Sequence, residues 1–572
     1  MSAVGSTFPC RADMASTQAP RFAAALDAFF VWLHRTFPVS ATFIGVHEHD
    51  HRLPDFSDQG LGDTLATLIR LLGVLRRLPE EPLTAGERLD RTLTEGALEI
   101  FRWEVSSGHF ALGNPCVYTG EAVFGVIALL LRPFAPLNVR VAAAVERMMA
   151  IPAFLAQGRA NVRTAPSPWI ERAIRECDGA NALFERGVEI FIHDEGVTDP
   201  TFRQAATAAT AAFREFRSYL STELASNATG DYACGGEALD LLIRRGHCLE
   251  MNAAAVMALG REHMAIAEAR LRAEASMLGS TDWRAALRGL SDLHPPAREY
   301  YRRFREVWEG AHAAAEAHEL VTWPDYPIRF MPQPTWAREA APHLYFLFYR
   351  APAAFDRIPV VDYLVPPVEL EMPPDEQLRR LRATNDGVIK LNHVIHHGGL
   401  GHHLQNWYAY HQTASRVGRI AAVDCASRIA LFCGGTMAEG WACYATDLMD
   451  EIGFLTPLER LSQAHTRLRM AARAIVDVQL HTRTWTVDEA AQFYHEAAGL
   501  APDGARAEAV KNSMFPGTAL MYLVGDDLID RLRVEMQARP GFTLRRFHDR
   551  LLSYGSVPIA LIASELRAGE SL

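Results

Sequence analysis

The chain has 572 residues, long enough for more than one packed lobe, and its 49% apolar and 22% charged composition is ordinary for a globular protein. A net charge of −11, with no compensating Lys/Arg stripe, argues against a nucleic-acid partner. The eight cysteines form no Cys-x-x-Cys pair and no framework-like spacing, which argues against a thiolate zinc site and reads as thiols in a reducing compartment.

Met1–Pro20 contains no continuous apolar stretch, so it predicts no signal peptide, and a cytoplasmic location follows. Apolar residues then recur every three or four positions over Ala23–Thr36, Leu61–Arg77, Thr84–Ser106, Asn138–Ala156, Pro200–Leu224, Asn252–Leu278 and Pro296–His318, predicting helices. Thr84 and Asp199-Pro200 stand where caps are needed. Between the first two of these helices lies a literal His-Glu-x-x-His string, His47-Glu48-His49-Asp50-His51. Gly45 and Pro54 bracket it too closely for a stable helix, and its middle residues are polar, so it predicts a histidine-rich loop rather than a metal helix. The longest apolar run, Ala122–Leu131, is too short to span a bilayer, and no membrane partner is expected.

Leu320–Val368 breaks the helical habit with prolines and aromatics, among them Trp323, Tyr326, Phe330, Tyr345, Phe346 and Tyr349, and predicts a few short strands. Helical pattern resumes over Pro374–Ala383, Lys390–Tyr410, Ala438–Glu451, Pro457–His481, Val487–Ala497 and Pro516–Met536. The fold class is therefore mainly α, divided as a helical part (1–319), a strand-bearing middle (320–370) and a helical part (371–572).

The chemistry concentrates in the last part. His393, His396, His397, His402 and His403 fall within eleven positions of an otherwise apolar window, and imidazole is the commonest ligand of borderline metals. On an α-helix the first three would share about one third of the circumference, and His393 and His397 have a spacing that lets two rings converge. Glycines at 398, 399 and 401 interrupt the helix, allowing His402 and His403 to swing back. Glu439, in the first turn of a new helix amid apolar neighbours, offers an anionic ligand; without a cation its burial would be costly.

These blocks resemble the bacterial family known as domain of unknown function 885, related to the gluzincin metallopeptidases. Its pattern is matched at His396, Gly401, His402, His403 and Gln405; at Glu439, Gly440, Trp441, Ala442 and Tyr444; and at Asp477 and His481. It is matched again at Pro516, Gly517, Ala519, Tyr522 and Gly525, and at Phe547, His548, Asp549, Leu552, Gly555 and Pro558. The resemblance implies a multi-helical gluzincin-like scaffold with a deep central cleft. It also implies one divalent transition metal, zinc with iron as the alternative, held by His396, His402 and Glu439, with His393, His397 and His403 as substitutes. Tyr522 is then a donor to a developing oxyanion.

Where the family has its general-base glutamate, this chain has His397, and Leu400 replaces its proline. Its Arg-Tyr pair, implied to bind substrate, is Lys511-Asn512 here, and Thr518 replaces a glutamine. The expectation is a metal-dependent hydrolase-like enzyme acting on an amide or related bond of a small-molecule or peptide-like substrate, with His397 in the base position. Two alternatives stand beside it. One is a non-hydrolytic lyase or iron-dependent redox enzyme using the His393/His397 pair; the other is an inactive scaffold used for binding.

Overall fold

Capping chemistry sets where the helices begin. The Thr84 hydroxyl accepts the Glu87 amide while Glu87 accepts the Thr84 amide, and Thr456/Glu459 and Thr486/Glu489 repeat this reciprocal box. Asp199 caps the amide of Thr201 with Pro200 in the first turn. The computed structural model describes residues 20–78, 83–344, 352–356, 358–424, 426, 431–432 and 434–569. Expectations resting on residues 1–19, Tyr345, Phe346, Tyr349, Cys425 and Cys433 lie outside them.

The protein is mainly helical, and the described residues hold one small sheet of two parallel strands, β1 (Ile328–Pro332) and β2 (Val361–Val365), in register Ile328↔Val361 to Pro332↔Val365. The periodic segments are helices within a few residues of their expected bounds, among them Asp58–Arg76, Ala85–Val105, Ala253–Met277 and Pro457–His481. The apolar run Ala122–Leu131 belongs to a helix, Pro115–Leu131, that is buried on nearly every face. No described helix is long and apolar enough to cross a membrane. Cys116, Cys177, Cys234, Cys248 and Cys443 form no disulfide among the described residues.

One contiguous apolar core runs from Phe22 to Leu566, so the three sequence segments share it. Two helix pairs frame the site. Ala253–Met277 packs along Pro457–His481, and Thr436–Glu451 packs along Met521–Gln537. The second pair meets backbone to backbone: a Cβ on Gly525 would lie 2.0 Å from the Thr436 carbonyl oxygen, and one on Gly440 would lie 2.4 Å from Gly525. Neither helix can retreat without losing its buried face.

Gly525→Ala should therefore destabilise the fold by about 3 kcal/mol in urea denaturation. The same change at Gly62, which is exposed within Asp58–Arg76 and has open space around its would-be Cβ, should stabilise by about 0.5–1 kcal/mol.

Candidate metal centre

The helix Val388–Gly398 is wound more widely than an α-helix, closing its bonds five residues back. His397 follows the same step: its Nδ1 donates to the Asn392 carbonyl, five residues earlier, at 2.7 Å. The chain then turns through Gly399 and Gly401 and re-enters a helix at His402–His411. The turn is tight enough that a Cβ on Gly401 would lie 1.9 Å from the His396 carbonyl oxygen. Only a glycine allows that approach, and it sets the His402 ring beside that of His396, centroids 4.9 Å apart. Two indoles hold the turn: Trp308 Nε1 donates to Gly398 O at 2.9 Å, and Trp441 Nε1 to Leu400 O at 2.8 Å.

Glu439 arrives from the first turn of Thr436–Glu451. Its Oε2 stands 3.4 Å from His396 Nε2 and 3.4 Å from His402 Nε2. That oxygen is shut off from solvent and has no hydrogen-bond partner among the described residues. Ligand nitrogens of His396, His397 and His402 all lie within 4.8 Å of one another. Two atoms held at about 2.1 Å by one tetrahedral ion stand about 3.4 Å apart, so these separations suit a shared zinc-like ion.

The electrostatics have the same origin. Burial, joined by the His396 and His402 rings, holds His397 well below the ordinary histidine range. Burial likewise lowers His396, against the pull of Glu439. On His402 burial is outweighed by Glu439, with help from Asp424, and its pKa is raised. The asymmetry between two rings equidistant from one oxygen comes from their other neighbours: His402 and Arg467 lower His396, while Asp424 raises His402. Burial opposes ionisation of Glu439, but the two imidazoles outweigh it and hold the carboxyl well below its usual range.

The other histidines of the run face elsewhere. His403 donates from Nε2 to Tyr326 O at 2.7 Å and stacks on the Tyr326 ring. His393 shares a 2.7 Å hydrogen bond with the Tyr363 hydroxyl through Nδ1 and stands outside the metal-capable group. For His393 the widened helix is the reason, because its angular step differs from the α-helical one assumed from the sequence.

A cleft of about 1360 Å³ opens over the cluster, lined by residues from Trp283 to Tyr522. Lys511 and Tyr522 line it. Asn512 does not: it is buried, donates to the Tyr494 hydroxyl, and accepts from His481 Nε2 on its backbone oxygen. Its amide is committed to packing, which removes it from the substrate-binding set. Asp477 accepts the amides of Gly517 and Leu520, pinning the turn that leads to Tyr522. Asp477 and His481 thus position the cleft wall through its backbone. Sequence reasoning passed over Asp424, Tyr363, Arg469 and Arg473, all in the lining.

The family described as "Bacterial protein of unknown function (DUF885)" matches residues 38–566. The chain belongs to that family. No curated protein matches this DUF885 chain. Two solved structures share its fold. One is a "putative lipoprotein of unknown function" from Shewanella oneidensis, at 22% identity and TM-score 0.76, covering 96% of this chain and 99% of that one. The other is a "putative lipoprotein" from Colwellia psychrerythraea, at 18% identity and TM-score 0.71, covering 96% and 98%.

The literal His-Glu-x-x-His string of this DUF885 member is a turn far along the chain from these ligands. Both nitrogens of His47 are bonded to carboxylates, Nδ1 to Asp50 and Nε2 to Asp356, each at 2.8 Å. Burial works against the charged ring, but the two carboxylates outweigh it and raise the pKa from 6.5 to about 9. The stabilisation is therefore complete below pH 6.5 and lost as pH rises through about 9. Melting temperature should fall over that window in the parent, and His47→Gln should flatten this part of the profile.

Proposed function

We propose that the cleft is the active site of a metal-dependent hydrolase-like enzyme that cleaves an amide or related bond in a small-molecule or peptide-like substrate. The reading descends from a gluzincin-like peptidase arrangement with altered chemistry. The observation that carries it is the Glu439 oxygen, buried without a donor and 3.4 Å from two imidazole nitrogens. With both rings neutral, as metal ligands must be, that carboxylate lacks a counter-charge, and a cation held by His396, His402 and Glu439 supplies one. Zinc, or iron as the alternative, would supply Lewis acidity to the substrate carbonyl when bound.

The chain's own groups divide the remaining work. His397, its Nδ1 hydrogen committed to the Asn392 carbonyl, keeps Nε2 as a proton acceptor beside the cluster. Burial and the nearby Glu439 push the Tyr522 hydroxyl well above its usual range, so it stays a hydrogen-bond donor for an oxygen that gains negative charge. Lys511 adds a positive charge to the wall. A second reading has one observation of its own. A bond from Nδ1 to a backbone carbonyl is the tie that metal-bound imidazoles usually make. With His397 as a fourth ligand the site suits a non-hydrolytic lyase or redox enzyme better than a hydrolase.

The free thiols favour a cytoplasmic location for this chain, which fractionation of the native host checks; "lipoprotein" is a description of the two relatives.

Elemental analysis of untagged protein should find close to one equivalent of zinc, lost in Glu439→Ala. Less than about a tenth of an equivalent, not restored by reconstitution, would sink the reading, because such sites bind tightly. His397→Glu should raise amidase or peptidase activity above the parent and abolish the native reaction. Full native turnover and metal content in both His397→Glu and His397→Ala would make His397 a bystander. An inactive binding scaffold would instead keep its ligand affinity in Glu439→Ala.

A further inference from the structure

The cleft lining is rich in cations, several of them paired with acids outside the lining: Arg338 with Glu369, Arg379 and Arg380 with Glu376, and Arg473 with Glu508. Eight arginine or lysine side chains line the cleft against two carboxylates, Asp424 and Glu439, in a protein of net charge −11. One helix, Pro457–His481, supplies Ser462, Thr466, Arg469 and Arg473 to the lining, at spacings of three and four that place them on one face. The helix is tied to the histidine-bearing Val388–Gly398 by a buried ion pair, Lys390 to Glu459 at 2.7 Å. Its face is therefore held in a fixed position relative to the cluster.

Two arginines on that face differ in how their charge is met. Arg473 reaches both oxygens of Glu508, at 2.7 and 2.9 Å, and its guanidinium lies 4.9 Å from the centre of the Tyr522 ring. Arg469, one turn away, makes no hydrogen bond or ion pair with any described residue, and its Nε is shut off from solvent without a partner. Glu508, bonded through both oxygens to Arg473, reaches Arg469 only through space and makes no hydrogen bond to it. A guanidinium does not shed its proton, so the charge persists. Burial and the neighbouring Arg473 weaken its hold on that proton and outweigh the opposite pull of Glu508.

We infer that Arg469 is the anion subsite of the cleft and receives a carboxylate of the substrate, with Tyr522 and the Glu439 cluster acting on a bond further along the same molecule. This deepens the reading proposed above and rests on it for the reaction, though not for the binding. One free guanidinium fork matches a planar carboxylate, which two parallel N–H bonds can hold. The substrate class is then an acylated small acid or a peptide with a free C-terminal carboxylate.

The test is calorimetric titration of the full chain, as purified and after zinc loading. The probes are N-acetylglycine against N-acetylglycinamide, and N-acetyl-tetraalanine as free acid against its amide. The acid form should bind about tenfold or more tightly than the amide, a typical return for a charge-assisted pair. Whichever acid shows the larger ratio identifies the source of the carboxylate. Arg469→Gln should bring the ratio close to one, and Arg469→Lys should keep part of it. Arg469→Met should also raise the melting temperature, because it removes a part-buried guanidinium that has no hydrogen-bond partner and is repelled by Arg473, whereas a purely structural arginine would lower it. A ratio near one in the parent, or a ratio unchanged in Arg469→Gln, overturns the subsite. Arg469-dependent binding of inorganic phosphate tighter than that of either acid overturns the carboxylate assignment. An Arg469-dependent ratio in protein that takes up no zinc supports the subsite and removes the metal from the reaction.

Discussion

A carboxylate oxygen with no hydrogen to accept, facing two imidazole nitrogens at equal distance, is the constraint on which the rest of this molecule depends. An ionised carboxylate moved into the interior without a partner costs several kcal/mol even after relaxation. The surrounding structure is built so that Glu439 cannot evade that cost by rotating outward or drawing in a donor. Behind it, Thr436–Glu451 is pressed against Met521–Gln537 at two glycines. In front of it, the turn between His396 and His402 is folded onto itself at Gly401 and stapled by Trp308 and Trp441. Each support uses a residue type for a reason of shape: glycine for absent volume, tryptophan for a long flat side chain with a single donor at its edge.

Much of the architecture was legible in the residues. Helices with an amphipathic stripe and a threonine–glutamate box announce both their existence and their start, as Ala85–Val105 and Pro457–His481 do. Pro115–Leu131 carries no polar face, because it is buried nearly all round, so its periodicity is silent. The stretch expected as one helix from Pro516 begins only at Met521, because Asp477 holds Gly517 and Leu520 in a turn and Gly517 takes a positive φ of 73°. At the site, clustering in sequence marked five histidines, and the family resemblance picked out His396, His402 and Glu439 as the candidate metal ligands. Spacing alone could not separate them from His393, which sits on a helix wound outside the usual period, or from His403, whose ring is turned to Tyr326.

Arg469 shows the opposite limit. An arginine on an amphipathic helix is indistinguishable in sequence from a solvated one, and nothing in its neighbours marks it. Its meaning emerges only from a census of partners, in which Arg473 takes the one carboxylate between them. Asn512 failed in the converse way. Its place beside Lys511 suggested a substrate contact, but adjacent residues on the helix Pro502–Met514 point in different directions, and Asn512 points inward to Tyr494. Likewise the string at His47–His51 has the letters of a zinc motif but none of its geometry, since both nitrogens of His47 are spent on aspartates.

The contact between Gly440 and Gly525 has a consequence for how such a scaffold can diversify. Two helices touching through bare backbone have no side chains at the crossing to resize, so mutation cannot widen or narrow the floor of the cleft in small steps. The wall built by Pro457–His481 is different: Ser462, Thr466 and Arg469 line the cleft from a single helix face and can be exchanged one at a time, while Arg473 stays locked to Glu508. Inheritance would then be partitioned within one site. The floor with its histidines and glutamate would pass between descendants nearly as a unit, while the wall drifts, and descendants would differ in what they hold more readily than in how they hold it.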